Sequence, residues 1–112
     1  MKKFPSIKKN EEFRSIYKNG KSAAGDFLVM YVMPGKVENQ NRIGISASKK
    51  VGNSVKRHRC TRLIRECFRN YLPSMKEGCD IVVVVRAHAA DKSYDCIAEC
   101  YRELLSRLDI AM

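Results

Sequence analysis

Residues 42–71 read RIGISASKKVGNSVKRHRCTRLIRECFRNY. The stretch opens as a strand and closes as a helix. Ile43 and Ile45 fall on one side of an extended chain, Gly44 and Ser46 on the other. The apolar spacing then widens. At roughly 100° per residue, Cys60, Leu63, Ile64, Cys67, Phe68 and Tyr71 gather on one side of a helix. Asn53 or Ser54 supplies an oxygen to cap its first N–H groups, and Pro73 closes it. His58, Arg62, Arg65 and Arg69 lie almost opposite the apolar side, with Arg59 nearby, and only Glu66 opposes them in sign. An ordinary solvated face mixes charges to gain pairs four residues apart. A row of one sign repels itself and calls for an external anion. Arginine suits the task, because its planar fork grips phosphate with two hydrogen bonds and stays charged.

Working outward, Lys49 and Lys50 sit on a loop with Gly52, just before the helix N-terminus. Exposed backbone N–H groups there favour anions. The GxxxxGK(S/T) pattern of a nucleotide-binding loop is missing. Residues 26–33 read as a strand that is apolar on both parities, and Pro34-Gly35 stops it. The polar run 36–41 reads as a hairpin loop, with 42–47 as the return strand. Nearer the start, residues 1–9 read as an extended basic arm. Asn10 is placed to cap a short helix, in which Phe13, Ile16 and Tyr17 form one stripe and Asn19-Gly20 marks the end. Downstream, the Val-rich run 79–87 predicts a central strand covered on both sides. Ser93 caps a last helix whose Ile97, Tyr101, Leu104 and Leu108 form a core-facing stripe. The order αββαβα in a single domain over 1–112 predicts an α+β fold, a two-layer α/β sandwich on a small mixed sheet.

Net charge is +10, and it is concentrated. Residues 1–21 carry +5 and residues 49–69 carry +7, so the remainder sums to −2. A clustered charge of this kind points to a polyanion such as nucleic acid. The apolar run 81–85 is far too short for a membrane span, and no apolar stretch follows the basic start. No membrane association is expected, and the cytoplasm is the expected location. Five cysteines without a CxxC spacing point to reduced thiols, and no metal site is expected on the protein. No nucleophile comes with a readable triad, and Asp80 and Asp91 lack carboxylate partners. If the chain serves catalysis, another molecule supplies the reactive groups. Phe13 and Tyr17 on the first helix, with Val29 and Tyr31 on one strand face, outline an aromatic groove. Unpaired bases stack on such a surface at about 1–3 kcal/mol each. Core filling is the competing reading for Phe13 and Tyr31, whereas the hydroxyl of Tyr17 favours exposure.

Gly44-Ile45-Ser46-Ala47-Ser48-Lys49-Lys50, then Gly52-Asn53-Ser54-Val55, then Arg57-His58-Arg59 and Arg65-Glu66, resemble the signature of the bacterial ribonuclease P protein component. A weaker resemblance covers Asn10-Glu11-Glu12-Phe13 with Tyr17 and Gly20, the first strand, Asp80 with its Val run, and the final helix. The resemblance implies a fold like the second domain of ribosomal protein S5, with a left-handed βαβ crossover that goes against the usual hand. It implies an RNA-binding subunit of the ribonuclease P holoenzyme, an endoribonuclease that removes the 5′ leader from precursor tRNA. Catalytic groups and Mg²⁺ are then expected on the catalytic RNA, with no catalytic residue on the protein. The implied partners are that RNA and the precursor tRNA leader, with a monomeric protein, one per RNA. By residue matching, Lys49, Lys50, Asn53, Arg57, Arg59, Arg62 and Arg65 fall on the RNA-binding motif, and Lys56, His58 and Arg69 extend it. Phe13, Tyr17, Val29 and Tyr31 fall on the leader cleft. Two positions depart from the family pattern: His58 replaces an Asn, and Thr61 a basic residue. The alternatives are a ribosomal or ribosome-assembly RNA-binding protein of similar fold, and a protein-only nuclease.

Overall fold

The computed structural model describes residues 6–35, 37 and 39–111. Residues 79–85 are apolar almost throughout because both faces of their strand are covered. This strand, β4 (Cys79–Val85), pairs antiparallel with β2 (Leu28–Pro34) and parallel with β3 (Arg42–Ser46). Val82 and Val83 point to opposite faces, and both are fully buried. A short strand β1 (Lys21–Ala24) adds to the outer side of β2, so the sheet order is β1-β2-β4-β3. Helix α1 (Asn10–Asn19) lies against one face. Helices α2 (Ser54–Tyr71) and α3 (Tyr94–Arg107) lie against the other.

The α+β sandwich expected from the sequence stands, with three corrections. The observed order is αβββαβα, because 21–24 forms a strand that the pattern does not announce. Lys-Ser-Ala-Ala has no β-branched or aromatic residue, and its conformation follows from pairing Lys21 with Val32 and Ala24 with Val29. Segments 28–34 and 42–46 do not form a hairpin, because β4 lies between them. The parallel pairing of β3 with β4 needs a crossover of a dozen or more residues, and α2 supplies it. Asn10 is the first helical residue rather than the cap. Lys9 holds the cap position without a side-chain bond.

The other helix boundaries follow the sequence closely. Asn53 Oδ1 accepts from Lys56 N at 3.0 Å, and Ser93 Oγ from Cys96 N at 3.3 Å. Cys60, Ile64, Cys67 and Phe68 of α2 are buried, as are Ile97, Tyr101, Leu104 and Leu108 around α3. With Leu28, Met30, Val32, Ile81 and Val83 they make one continuous core. Burial pushes the Cys67 thiol up to about 12 and raises the Tyr101 phenol as well. All five cysteines are free thiols. Of the basic arm, residues 1–5 lie outside the described residues. Ser6 bridges β3, and Ile7 N donates to Ile43 O at 2.9 Å, which covers the outer edge of that strand. No helix among the described residues is long and apolar enough to cross a membrane.

Candidate nucleic-acid interface

The core-facing side of α2 fixes what the opposite side presents. With Cys60, Ile64, Cys67 and Phe68 locked inside, His58, Arg62, Arg65 and Arg69 are held outward and exposed. Arg62, Arg65 and His58 make no side-chain hydrogen bond or ion pair among the described residues. The remaining predicted arginines divide by role. Arg69 pairs with Glu66, one turn away on the same helix. Arg59 is half-buried and donates to Ala90 O at 3.1 Å and Lys92 O at 2.8 Å, tying α2 to the loop before α3. Arg57 is partly buried, and its Nε has no hydrogen-bond partner among the described residues. The hydroxyl of Thr61 donates to Arg57 O at 3.0 Å, so this departure from the family pattern is engaged within its own helix.

The loop leading into α2 is built to raise its lysines. Val51 is buried and anchors it, while Lys49 and Lys50, in the turn just before it, stay exposed. Gly52 takes φ +146°, and a Cβ there would meet Lys56 Cδ at 2.7 Å. The aliphatic stem of Lys56 therefore lies over Gly52. Lys49, Lys50 and Lys56 share the end of α2 whose free N–H groups carry the positive pole of the helix.

The second site lies between α1 and the sheet. The registers put Val29, Tyr31, Val82, Val84, Gly44 and Ser46 on one face. Phe13 rests on Gly44, where an added Cβ would meet its ring at 2.7 Å, so the missing side chain is the seat for the ring. Tyr17 lies edge-on to Tyr31 with centroids 4.9 Å apart, and 6.3 Å from Phe13. Tyr17 is 39% exposed, whereas Phe13 and Tyr31 are half-buried and also fill a small core with Ile7, Ile16 and Val82. Val29 occupies the next row of the same face, level with Val84 and Ser46. An open groove runs along Phe13, Tyr17, Ile45 and Ser46.

One group of structural importance is absent from the sequence reading. Arg42 Nε donates to Asp80 Oδ1 at 2.9 Å, and its Nη2 donates to Asp80 Oδ2 at 2.7 Å and Glu12 Oε2 at 2.6 Å. These bonds, first to Asp80 and then to Glu12, raise the pKa of Arg42 above that of a free guanidinium. The network clamps the first turn of α1 to β3 and β4 and fixes the groove wall. The only sequence signal was a Glu in a helix first turn and an Arg and an Asp each opening a strand. Among the described residues, no three His, Cys, Asp or Glu side chains are placed to hold a metal ion.

The family model described as "Ribonuclease P" matches residues 1–109. The chain belongs to the ribonuclease P protein family. Its similarity to the "Ribonuclease P protein component" of Lachnoclostridium phytofermentans is 48% identity over 88% of this chain and 84% of that protein. With the component from Clostridioides difficile it shares 40% identity over 95% and 93% of the two chains. Among solved structures it resembles the Staphylococcus aureus RNase P protein with a TM-score of 0.88 at 35% identity, covering 98% of this chain and all of that one. The Thermotoga maritima RNase P protein superimposes with a TM-score of 0.82 at 26% identity, over 91% and 96%. As a ribonuclease P protein component, the chain is a subunit of an endoribonuclease holoenzyme that processes tRNA.

Proposed function

We propose that the exposed side of α2 and the Lys49–Lys50 loop bind the RNA subunit of ribonuclease P, and that the groove under α1 holds the single-stranded 5′ leader of precursor tRNA. The RNA supplies the catalytic groups and the Mg²⁺ for hydrolysis at the mature 5′ end. The protein acts in the cytoplasm as a monomer, one per RNA, and contributes grip and orientation. The observation that carries this reading is the exposed side of α2, where Arg62 and Arg65 have no carboxylate partner among the described residues. Arg62 and Arg65 project from a helix whose reverse side is buried in the core, so both guanidinium groups are carried on its exposed side. A row of guanidinium forks on one side of a helix suits a backbone of regularly spaced phosphates.

The test uses holoenzyme reconstituted with the matching RNA. Arg62→Ala and Arg65→Ala are each expected to weaken RNA-subunit binding and flatten its dependence on salt, removing about one phosphate contact apiece. Tyr17→Ala is expected to weaken binding of leader-bearing precursor while leaving leaderless tRNA unaffected, at about 1–3 kcal/mol for one lost stack. Unchanged salt slopes in both arginine variants would remove α2 from the interface. Equal losses on the two substrates would remove the leader from the groove.

A further inference from the structure

The aromatic groove has rings for a base, and none of the predicted leader residues carries a charge for the phosphate. The structure supplies one on the helical wall. The groove is lined by Asn10, Phe13, Arg14, Tyr17, Ile45 and Ser46. Arg14 is exposed, borders the same space as the two α1 rings, and makes no hydrogen bond or ion pair among the described residues. The two usual reasons for a helix arginine do not apply to it. It lies mid-helix, away from the last turn where Lys18 complements the helix dipole. Glu11, at the three-residue spacing that permits pairing, is not bonded to it. On the opposite bank, the Lys49–Lys50 loop begins just after Ser46.

We infer that Arg14 anchors the phosphate of a leader nucleotide whose base stacks on Tyr17. Arg14 is then a positioning residue for the substrate, and the groove is a two-banked channel for one unpaired strand. A duplex is refused there, because paired bases cannot leave their stack to meet the rings while their phosphates reach Arg14. The inference rests on the leader reading above. Its chemistry separates it from α2, since it concerns the substrate strand rather than the RNA subunit.

The deciding experiment measures binding of leader-bearing precursor and leaderless tRNA to reconstituted holoenzyme over a range of salt. Arg14→Gln is expected to weaken the leader-bearing substrate roughly three- to tenfold and to make its log–log salt slope shallower by about 0.7, the value for one single-stranded phosphate. Leaderless tRNA and RNA-subunit affinity should not move. Arg14→Lys, which keeps the charge, should restore the slope and most of the affinity. A salt slope unaltered by Arg14→Gln, or equal losses on both substrates, overturns the assignment. Tyr17→Ala measured alongside separates the two levels of failure. If it abolishes leader discrimination and Arg14→Gln does not, the role of Arg14 falls and the leader groove stands. If Tyr17→Ala is also indifferent, both fall together.

Discussion

The two faces of the sheet use the same strands for opposite ends. Leu28, Met30, Val32, Ile81 and Val83 turn one way and are sealed under α2 and α3. Val29, Tyr31, Met33 and Val84 turn the other way and are only half covered by α1. Both sets are apolar, so hydrophobicity alone does not tell them apart. What differs is the cover. Two helices close one side, whereas a single short helix, clamped by Arg42 to Glu12 and Asp80, leaves aromatic surface open on the other. A half-covered apolar face marks a place where something else lies down.

The comparison is tested hardest by attacking the sealed side. Phe68 is fully buried, and Phe68→Ala is expected to lower the unfolding free energy by about 3–5 kcal/mol, read from urea or guanidinium titrations. A loss below about 1 kcal/mol would mean the two faces are not so different in packing. The open side should respond more mildly and in a different currency. Gly44→Ala sets a Cβ 2.7 Å from the Phe13 ring and 3.2 Å from Ile7 Cβ, so something must shift. The expected cost is about 1–3 kcal/mol, with leader discrimination falling more than RNA-subunit affinity. A loss of both affinities in equal measure would blur the distinction. The smallest effect is alkaline. Burial on the sealed side pushes the Cys67 thiol up to about 12 when folded, against an ordinary thiol near 9.0. Below the unfolded value both states hold the proton and nothing is lost. As pH rises above it, the unfolded chain ionises first, so stability falls toward the folded value. Unfolding titrations at about pH 8 and about pH 11 should show a smaller drop for Cys67→Ala than for the parent chain, and an identical drop would place the pH sensitivity elsewhere.

Much of the sealed side was legible in the sequence because its signals are local. The Asn53 and Ser93 caps and the stripes of α2 and α3 all depend on residues within a few positions of one another. The central place of β4 was legible too, since its run of β-branched residues 81–85 fits a strand covered on both faces. What failed was non-local. The partner of β2 lies some fifty residues on, so proximity suggested a hairpin where the sheet has an insertion. β1 takes its conformation from its neighbour rather than from Lys-Ser-Ala-Ala. In the interface, the arginine row was legible, whereas the division of labour within it was not. Arg59 reads like Arg62 in sequence, and only the fold brings Ala90 and Lys92 beneath it. Arg14 was not legible, because a single exposed arginine on a short helix looks like a solvated face until a groove is seen beside it.

The strand order also carries a cost during synthesis on the ribosome. β4, which ends at residue 85, lies between β2 and β3 and joins them. Until it emerges, the nascent chain holds a two-stranded ribbon, an unpaired strand and two amphipathic helices, with greasy sides that have no complete sheet to meet. The middle of the sheet is thus among the last pieces delivered, and a chain stalled before that point is a candidate for chaperones or proteases rather than for RNA.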